Sequence, residues 1–185
     1  DENASEIPLD PDGRIIATNK IRCRHVSDKM TVLLNVEYGL ARELMQDASF
    51  IINRHGRIKN AMSSSGKHIV SPRLTDGGIS LTDDGAVELH SHRRRKCPSK
   101  FETTQAWNYI GEGPAWVVVN DDSEPFVRKG RNVFHGFVLA TDPWIAPGRT
   151  CLIVNKKGQL LGHGISNCNS EEFATFSKGI AIKTR

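Results

Sequence analysis

The stretch Thr150-Cys151-Leu152-Ile153-Val154-Asn155-Lys156-Lys157-Gly158-Gln159-Leu160-Leu161-Gly162-His163-Gly164-Ile165 decides the fold. Its first half is apolar and β-branched, its second half is apolar again, and Lys157-Gly158 between them is a tight hairpin turn. Two strands joined so closely are antiparallel neighbours. Working outward, Val117–Val119, Phe126–Arg128, Gly136–Ala140 and Gly179–Thr184 read as further short strands with glycine punctuation. Ser170 to Ser177 reads as a short helix, with Glu171 and Glu172 in the first turn where a carboxylate meets the positive end of the helix dipole. Many short strands at regular spacing with turn residues between them indicate a small barrel.

The part that precedes this barrel has a different texture. Asp1 to Asn19 is a polar lead-in broken by Pro8, Pro11 and Gly13, with one short strand at Arg14–Ala17. Ile21 to Val26 alternates apolar and basic residues, a strand pattern. Ser27 or Asp28 then caps a helix whose face carries Met30, Leu33, Leu40 and Leu44 and which runs to about Met45. Ala48–Asn53 and Ile58–Met62 form a hairpin around Arg54-His55-Gly56-Arg57. Lys67–Leu74 and Gly78–Leu81 add two short strands, and Asp83-Asp84-Gly85 opens a helix through about His90. From His92 to Pro114 the chain is loop-like, a length usually reserved for functional or disordered segments. The predicted fold class is therefore α+β: a lead-in at 1–19, a small α+β domain at 20–122 with a basic insertion near 91–116, and a β-barrel-like domain at 123–185, the boundary falling at Asn120-Asp121-Asp122-Ser123.

Composition sets the outer bounds. The chain has 185 residues, 38% hydrophobic and 25% charged, enough for a real core without staples. No apolar run approaches the roughly 18–20 residues a membrane helix needs, and Asp1–Asp12 does not resemble a secretory signal. Cys23, Cys97, Cys151 and Cys168 form no CxxC pair, so free thiols in a reducing cytoplasm are expected. The formal net charge is +4, but residues 124–185 hold 9 Lys/Arg against 4 Asp/Glu. A basic end behind a neutral remainder fits contact with a polyanion. Chemistry-bearing constellations are lacking. His90 and His92 have no third ligand, Cys23 and Cys97 sit in no nucleophile motif, and the pairs Asp83-Asp84 and Asp121-Asp122 read as a helix start and a linker. No catalytic residue, metal or cofactor is expected.

One string is specific. Glu124-Pro125-Phe126-Val127-Arg128-Lys129-Gly130-Arg131-Asn132-Val133-Phe134 resembles the opening of a PUA domain. Asp142-Pro143, Pro147-Gly148, Leu152-Ile153-Val154-Asn155, Leu161-Gly162-His163-Gly164 and Lys178-Gly179-Ile180-Ala181-Ile182-Lys183 continue the resemblance in order. The wording is closest to the archaeosine tRNA-guanine transglycosylases. Asn35-Val36-Glu37-Tyr38-Gly39, Gly56-Arg57-Ile58-Lys59-Asn60 and Thr75-Asp76-Gly77-Gly78-Ile79-Ser80-Leu81-Thr82 resemble the patch-forming domain preceding the PUA domain in that family. The archaeosine synthases carry a similar C-terminal arrangement.

The resemblance implies a partner, tRNA, gripped at its acceptor 3′ end. The family's exchange of guanine in the D-loop belongs to a separate barrel of roughly 250 residues, for which this chain has no room. The implied role is thus the non-catalytic tRNA-binding half, either a split subunit working with a separate transglycosylase catalytic subunit or a fragment of a longer chain. A stand-alone RNA- or ribosome-binding adaptor is the alternative, and a homodimer stays open. The expected RNA contacts are Lys129, Gly130, Arg131, Asn132, Lys178, Gly179, Lys183 and Arg185, joined by Arg93, Arg94, Arg95 and Lys96 of the insertion. Each of these cations reads equally as solvated charge. Val133 and Phe134 read as core, and Trp107 and Tyr109 as packing residues ahead of base-stacking ones.

Overall fold

The computed structural model describes residues 15–17, 20–102 and 109–185. The chain opens with β1 (Ile15–Ala17), α1 (Lys20–Leu34) and α2 (Tyr38–Leu44). The strand expected at Ile21–Val26 is instead the first half of α1. Val26, Met30 and Leu34 are all buried at a spacing of four, and over fifteen residues this stripe outweighs a six-residue alternation. Ser27, also buried, donates its hydroxyl to the carbonyls of Cys23 (2.8 Å) and Ala41 (3.1 Å), which ties α1 to α2. The helix expected to run to Met45 is broken at Asn35, whose φ is 56°. Asparagine is one of the few side chains that enters this left-handed region readily.

Next come β2 (Ser49–Ile52), β3 (Ile58–Met62), β4 (His68–Pro72) and β5 (Ile79–Leu81), followed by α3 (Asp83–Ser91). The first five strands form an antiparallel meander in chain order. Ile51 lies opposite Asn60, Ala61 opposite Val70, and Val70 opposite Leu81. In such a meander the turns at 53–57 and 73–78 share one end of the sheet. Thr82 caps α3 by accepting from the Gly85 N–H (3.0 Å). A Cβ at Gly85 would stand 2.1 Å from the Ile69 carbonyl oxygen, so only glycine lets α3 seat this closely on β4.

The second sheet consists of β6 (Ala115–Val119), β7 (Val133–Phe134), β8 (Val138–Thr141), β9 (Thr150–Val154), β10 (Leu160–Ser166) and β11 (Ile180–Thr184). Its order is β7-β11-β10-β9-β6-β8, with β6 and β9 parallel and the other pairs antiparallel. Two short helices accompany it, α4 (Glu124–Val127) and α5 (Ser170–Thr175). The strand expected at Phe126–Arg128 is therefore α4. Pro125 stands in its first turn, where a missing N–H costs nothing. Because β6 belongs to this sheet, the sheet takes in residues ahead of the boundary expected near Ser123.

The burial of β6 explains how the two sheets are joined. All five of its residues are buried, and they alternate between two cores. Ala115, Val117 and Val119 pack with Cys151, Ile153 and Phe173. Trp116 and Val118 pack with Leu152, Val154, Met30 and Phe50. A strand covered on both faces reads as a continuous apolar run, as Ala-Trp-Val-Val-Val does. The inner core belongs to the second sheet, while the other is shared with α1, α3 and the meander.

Candidate nucleic-acid interface

The expected contacts on the second sheet are built from the end of α4. Its last turn closes with Gly130 N–H donating to Val127 (2.8 Å) and Arg131 N–H to Phe126 (3.0 Å). Gly130 has φ 74°, and a Cβ there would meet nothing within 4 Å. Backbone geometry demands glycine, and the space around it is open. Lys129, Arg131 and Asn132 are exposed on either side. This turn is pinned to the end of β11, since Thr184 donates its N–H to Asn132 Oδ1 (3.1 Å) and its hydroxyl to the Arg131 carbonyl (2.9 Å). Arg185 follows directly and donates its N–H to His163 (3.0 Å).

Lys178 and Gly179 lie at the other end of the β7–β11 pair. There the His135 N–H donates to the Gly179 carbonyl (3.1 Å), and Gly179 has φ 93° with open surroundings. From Ile180 to Thr184 the strand covers about 13 Å at ~3.3 Å per residue, with Lys183 exposed along it. Two basic corners are thus separated by one strand, and β7 is a sheet edge. Two aromatics lie at the second corner. Val133 is buried as expected, but Phe134 is 48% exposed, as is Phe176. Ile180, 37% exposed, pairs with Phe134 across the two strands, and the Phe176 ring meets His135 edge-on at 5.6 Å. The signal that could have found Phe134 is the strict in-and-out alternation of Val133-Phe134.

Behind this edge His135 is buried, its Nε2 3.6 Å from the Cys168 sulfur and its Nδ1 without a hydrogen-bond partner. Burial lowers the His135 pKa and raises that of Cys168. Both shifts favour neutral groups, the opposite of an activated thiolate. Burial likewise pushes Cys97 up, and Cys151 to about 12.

The insertion divides the four cations expected at Arg93–Lys96. Arg93 faces inward, where its guanidinium grips both carboxylate oxygens of Asp142 (2.6 and 2.8 Å), each side chain only 3% exposed. It lies 4.1 Å over the Trp116 ring, and His90 stacks on Trp116 4.7 Å away. Arg93 therefore holds the insertion to the sheet and is not presented to a phosphate. Arg95 covers Tyr109 at 4.5 Å, and Tyr109 stacks on Trp144. Arg94 is 88% exposed and Lys96 is exposed too, so these two remain on the surface. Trp107 lies outside the described residues, as does most of the lead-in at 1–19.

Comparison with known proteins fits this geometry. Residues 115–185 match the family model described as PUA domain. The chain carries a PUA domain. It is 32% identical over 164 residues to the tRNA-guanine(15) transglycosylase of Thermococcus onnurineus (strain NA1), covering 88% of this chain and 25% of that protein. It is 34% identical over 145 residues to the tRNA-guanine(15) transglycosylase of Pyrococcus furiosus, covering 78% and 22%. The chain thus spans about a quarter of the length of these relatives, and the resemblance to the PUA-containing part of the transglycosylases stands. A hypothetical protein from Pyrococcus horikoshii OT3 has the same fold, with a TM-score of 0.62, 15% identity and coverage of 92% and 93%. A PUA-domain protein from Aeropyrum pernix K1 superposes with a TM-score of 0.60 at 12% identity, covering 91% and 83%. The α+β class holds over both sheets, and among the described residues no helix is long and apolar enough to cross a membrane.

Proposed function

We propose that this chain is the tRNA-binding, non-catalytic part of an archaeosine-type tRNA-guanine transglycosylase system and that its PUA domain grips the tRNA acceptor 3′ end. The observation that carries this is the edge strand β7, with the basic corners at either end of its pairing with β11, on a chain whose relatives are tRNA-guanine(15) transglycosylases several times its length. Lys129, Arg131, Lys178, Lys183 and Arg185 neutralise phosphates there and release counterions, a source of affinity independent of sequence. The unpaired 3′ nucleotides approach Gly130 and Gly179, where no side chain stands in the way, and their bases stack against Phe134 and Phe176. Exchange of the D-loop base is left to a catalytic barrel outside these residues. The exposed arginine and lysine of the insertion, Arg94 and Lys96, add phosphate contacts.

The test compares binding of full-length and 3′-trimmed tRNA at one fixed salt concentration. The intact RNA is expected to bind more tightly, and Lys129→Ala with Arg131→Ala together to remove most of that difference. Equal affinity for both RNAs overturns the 3′-end reading and leaves a general basic surface of the kind an adaptor would use.

A further inference from the structure

The N-terminal unit bears a charge concentration that the near-neutral tally of its residues conceals. A groove of about 470 Å³ runs between α1 and the end of the meander where the turns at 53–57 and 73–78 meet. His25 and Lys29 come to it from α1, Arg57 from the first turn and Arg73 from the second, with Ile21 and Leu74 supplying aliphatic surface. Among the described residues, no acidic side chain lines it. Lys29 reaches across and donates to the Gly77 carbonyl, which fastens the helix to the turn. Nearby acids are already engaged, Asp76 by Arg73 (2.9 Å) and Asp28 by Arg24 (3.9 Å).

This groove adjoins the PUA edge. Arg73 also lines a smaller cavity with Thr150, His163 and Arg185, and Arg185 follows Thr184, which is bonded to the Arg131 turn. Cations therefore succeed one another from Lys129 and Arg131 through Arg185 and Arg73 to Arg57 and Lys29. Two acids stand beside this path: Asp76, paired with Arg73, and Asp83, whose Oδ1 lies 3.1 Å from His163 Nε2.

We infer that this groove is a second site for the same RNA, taking the phosphodiester backbone of the tRNA body while the PUA edge takes its end. The inference rests on the RNA-binding reading of that edge. Cations without lining acids match phosphates, and Ile21 and Leu74 match the apolar faces of ribose. Continuity with the PUA edge favours RNA over an acidic protein segment. Phosphate contacts here position the RNA without reading its sequence.

The experiment uses the full chain with intact and 3′-trimmed tRNA over a salt series. The variant Lys29→Ser with Arg57→Ser is expected to weaken both RNAs by the same factor, about tenfold at low salt. It is also expected to make the slope of log affinity against log salt shallower by roughly 1.5, the share of two phosphate contacts. Arg57→Lys, which keeps the charge, is expected to retain wild-type binding, and a thermal melt of each variant verifies folding. Unchanged affinity and slope in the folded double variant overturn the groove, whatever the PUA variants do. If the groove variant instead loses only the capture of an acidic polypeptide, the RNA assignment is overturned as well. Loss of discrimination between intact and trimmed RNA in the wild type sinks the 3′-end reading alone, because the groove's effect is measured on both RNAs.

Discussion

His163 stands on β10 between Gly162 and Gly164, buried where the two sheets meet, with Asp83 on one side and Arg185 near the other. Burial lowers its pKa and Asp83 only partly offsets this. Burial lowers His68 and His135 in the same way. A histidine whose folded pKa is depressed is taken up neutral by the fold. As pH falls below about 6.5 the unfolded chain binds the proton first, and stability falls towards the lowered folded values. Stability contributed by these neutral rings is thus complete above about pH 6.5 and is lost on acidification. Urea denaturation midpoints measured from pH 8 to pH 5 should decline, and His163→Gln should flatten the decline. A variant whose pH dependence matches the wild type would remove His163 from this account. In the sequence, His163 reads as part of a strand and of the PUA-like string Leu161–Gly164, but its burial is not legible there, because α3, which packs on β10, lies some eighty residues away.

At the scale of elements, the insertion shows why a charge run misleads. Arg93-Arg94-Arg95-Lys96 has no periodicity that separates inward from outward cations. The separation comes from Asp142 and Trp116, which the sheet brings together from distant positions, the Asp142 carboxylate also accepting the Trp116 N–H (2.7 Å). Arg93→Met should leave the Asp142 carboxylate buried without its counter-charge, costing about 3 kcal/mol or more. Arg94→Ser, at an exposed site, should stay within about 0.5 kcal/mol. Denaturation midpoints decide this, and equal small losses in both would mean that the ion pair does not hold the segment. Asn35 is a second case of an element decided at a distance. Its amide donates to the carbonyls of Tyr109 (2.8 Å) and Gly113 (3.2 Å) and accepts from Gly111 N–H (3.1 Å). The hairpin at 48–62 and the β9–β10 hairpin of the second sheet were legible because their turns and alternation are local. α1 and α4 were misread because short apolar windows do not distinguish a strand from a helix turn. Likewise, in the candidate site the glycine turn was legible from Gly130, whereas the exposed aromatic partners Phe134 and Phe176 were not.

On the scale of the whole molecule, the double-faced strand β6 sets the behaviour. Trp116 and Val118, with Leu152 and Val154 of β9 and Ala140 of β8, present one apolar face of the PUA sheet to α1, α3 and the meander. Burying a Val- or Leu-sized side chain contributes roughly 1.5–3 kcal/mol, so the four larger ones together, about 6–12 kcal/mol, are comparable with the whole net stability of a small domain, about 5–15 kcal/mol. Arg93 adds its ion pair to the same seam. The two sheets should therefore unfold together. Thermal unfolding followed by far-ultraviolet circular dichroism and by tryptophan fluorescence should give one coincident transition for the full chain. Residues 115–185 produced alone should expose that face, melt at a lower temperature and bind a hydrophobic dye. An isolated segment as stable as the full chain, with no dye binding, would show that the shared core is incidental to the PUA domain. In that case the basic groove and the PUA edge would behave as separately moving bodies, because the shared core, with the Arg93–Asp142 pair, is what holds them on one surface.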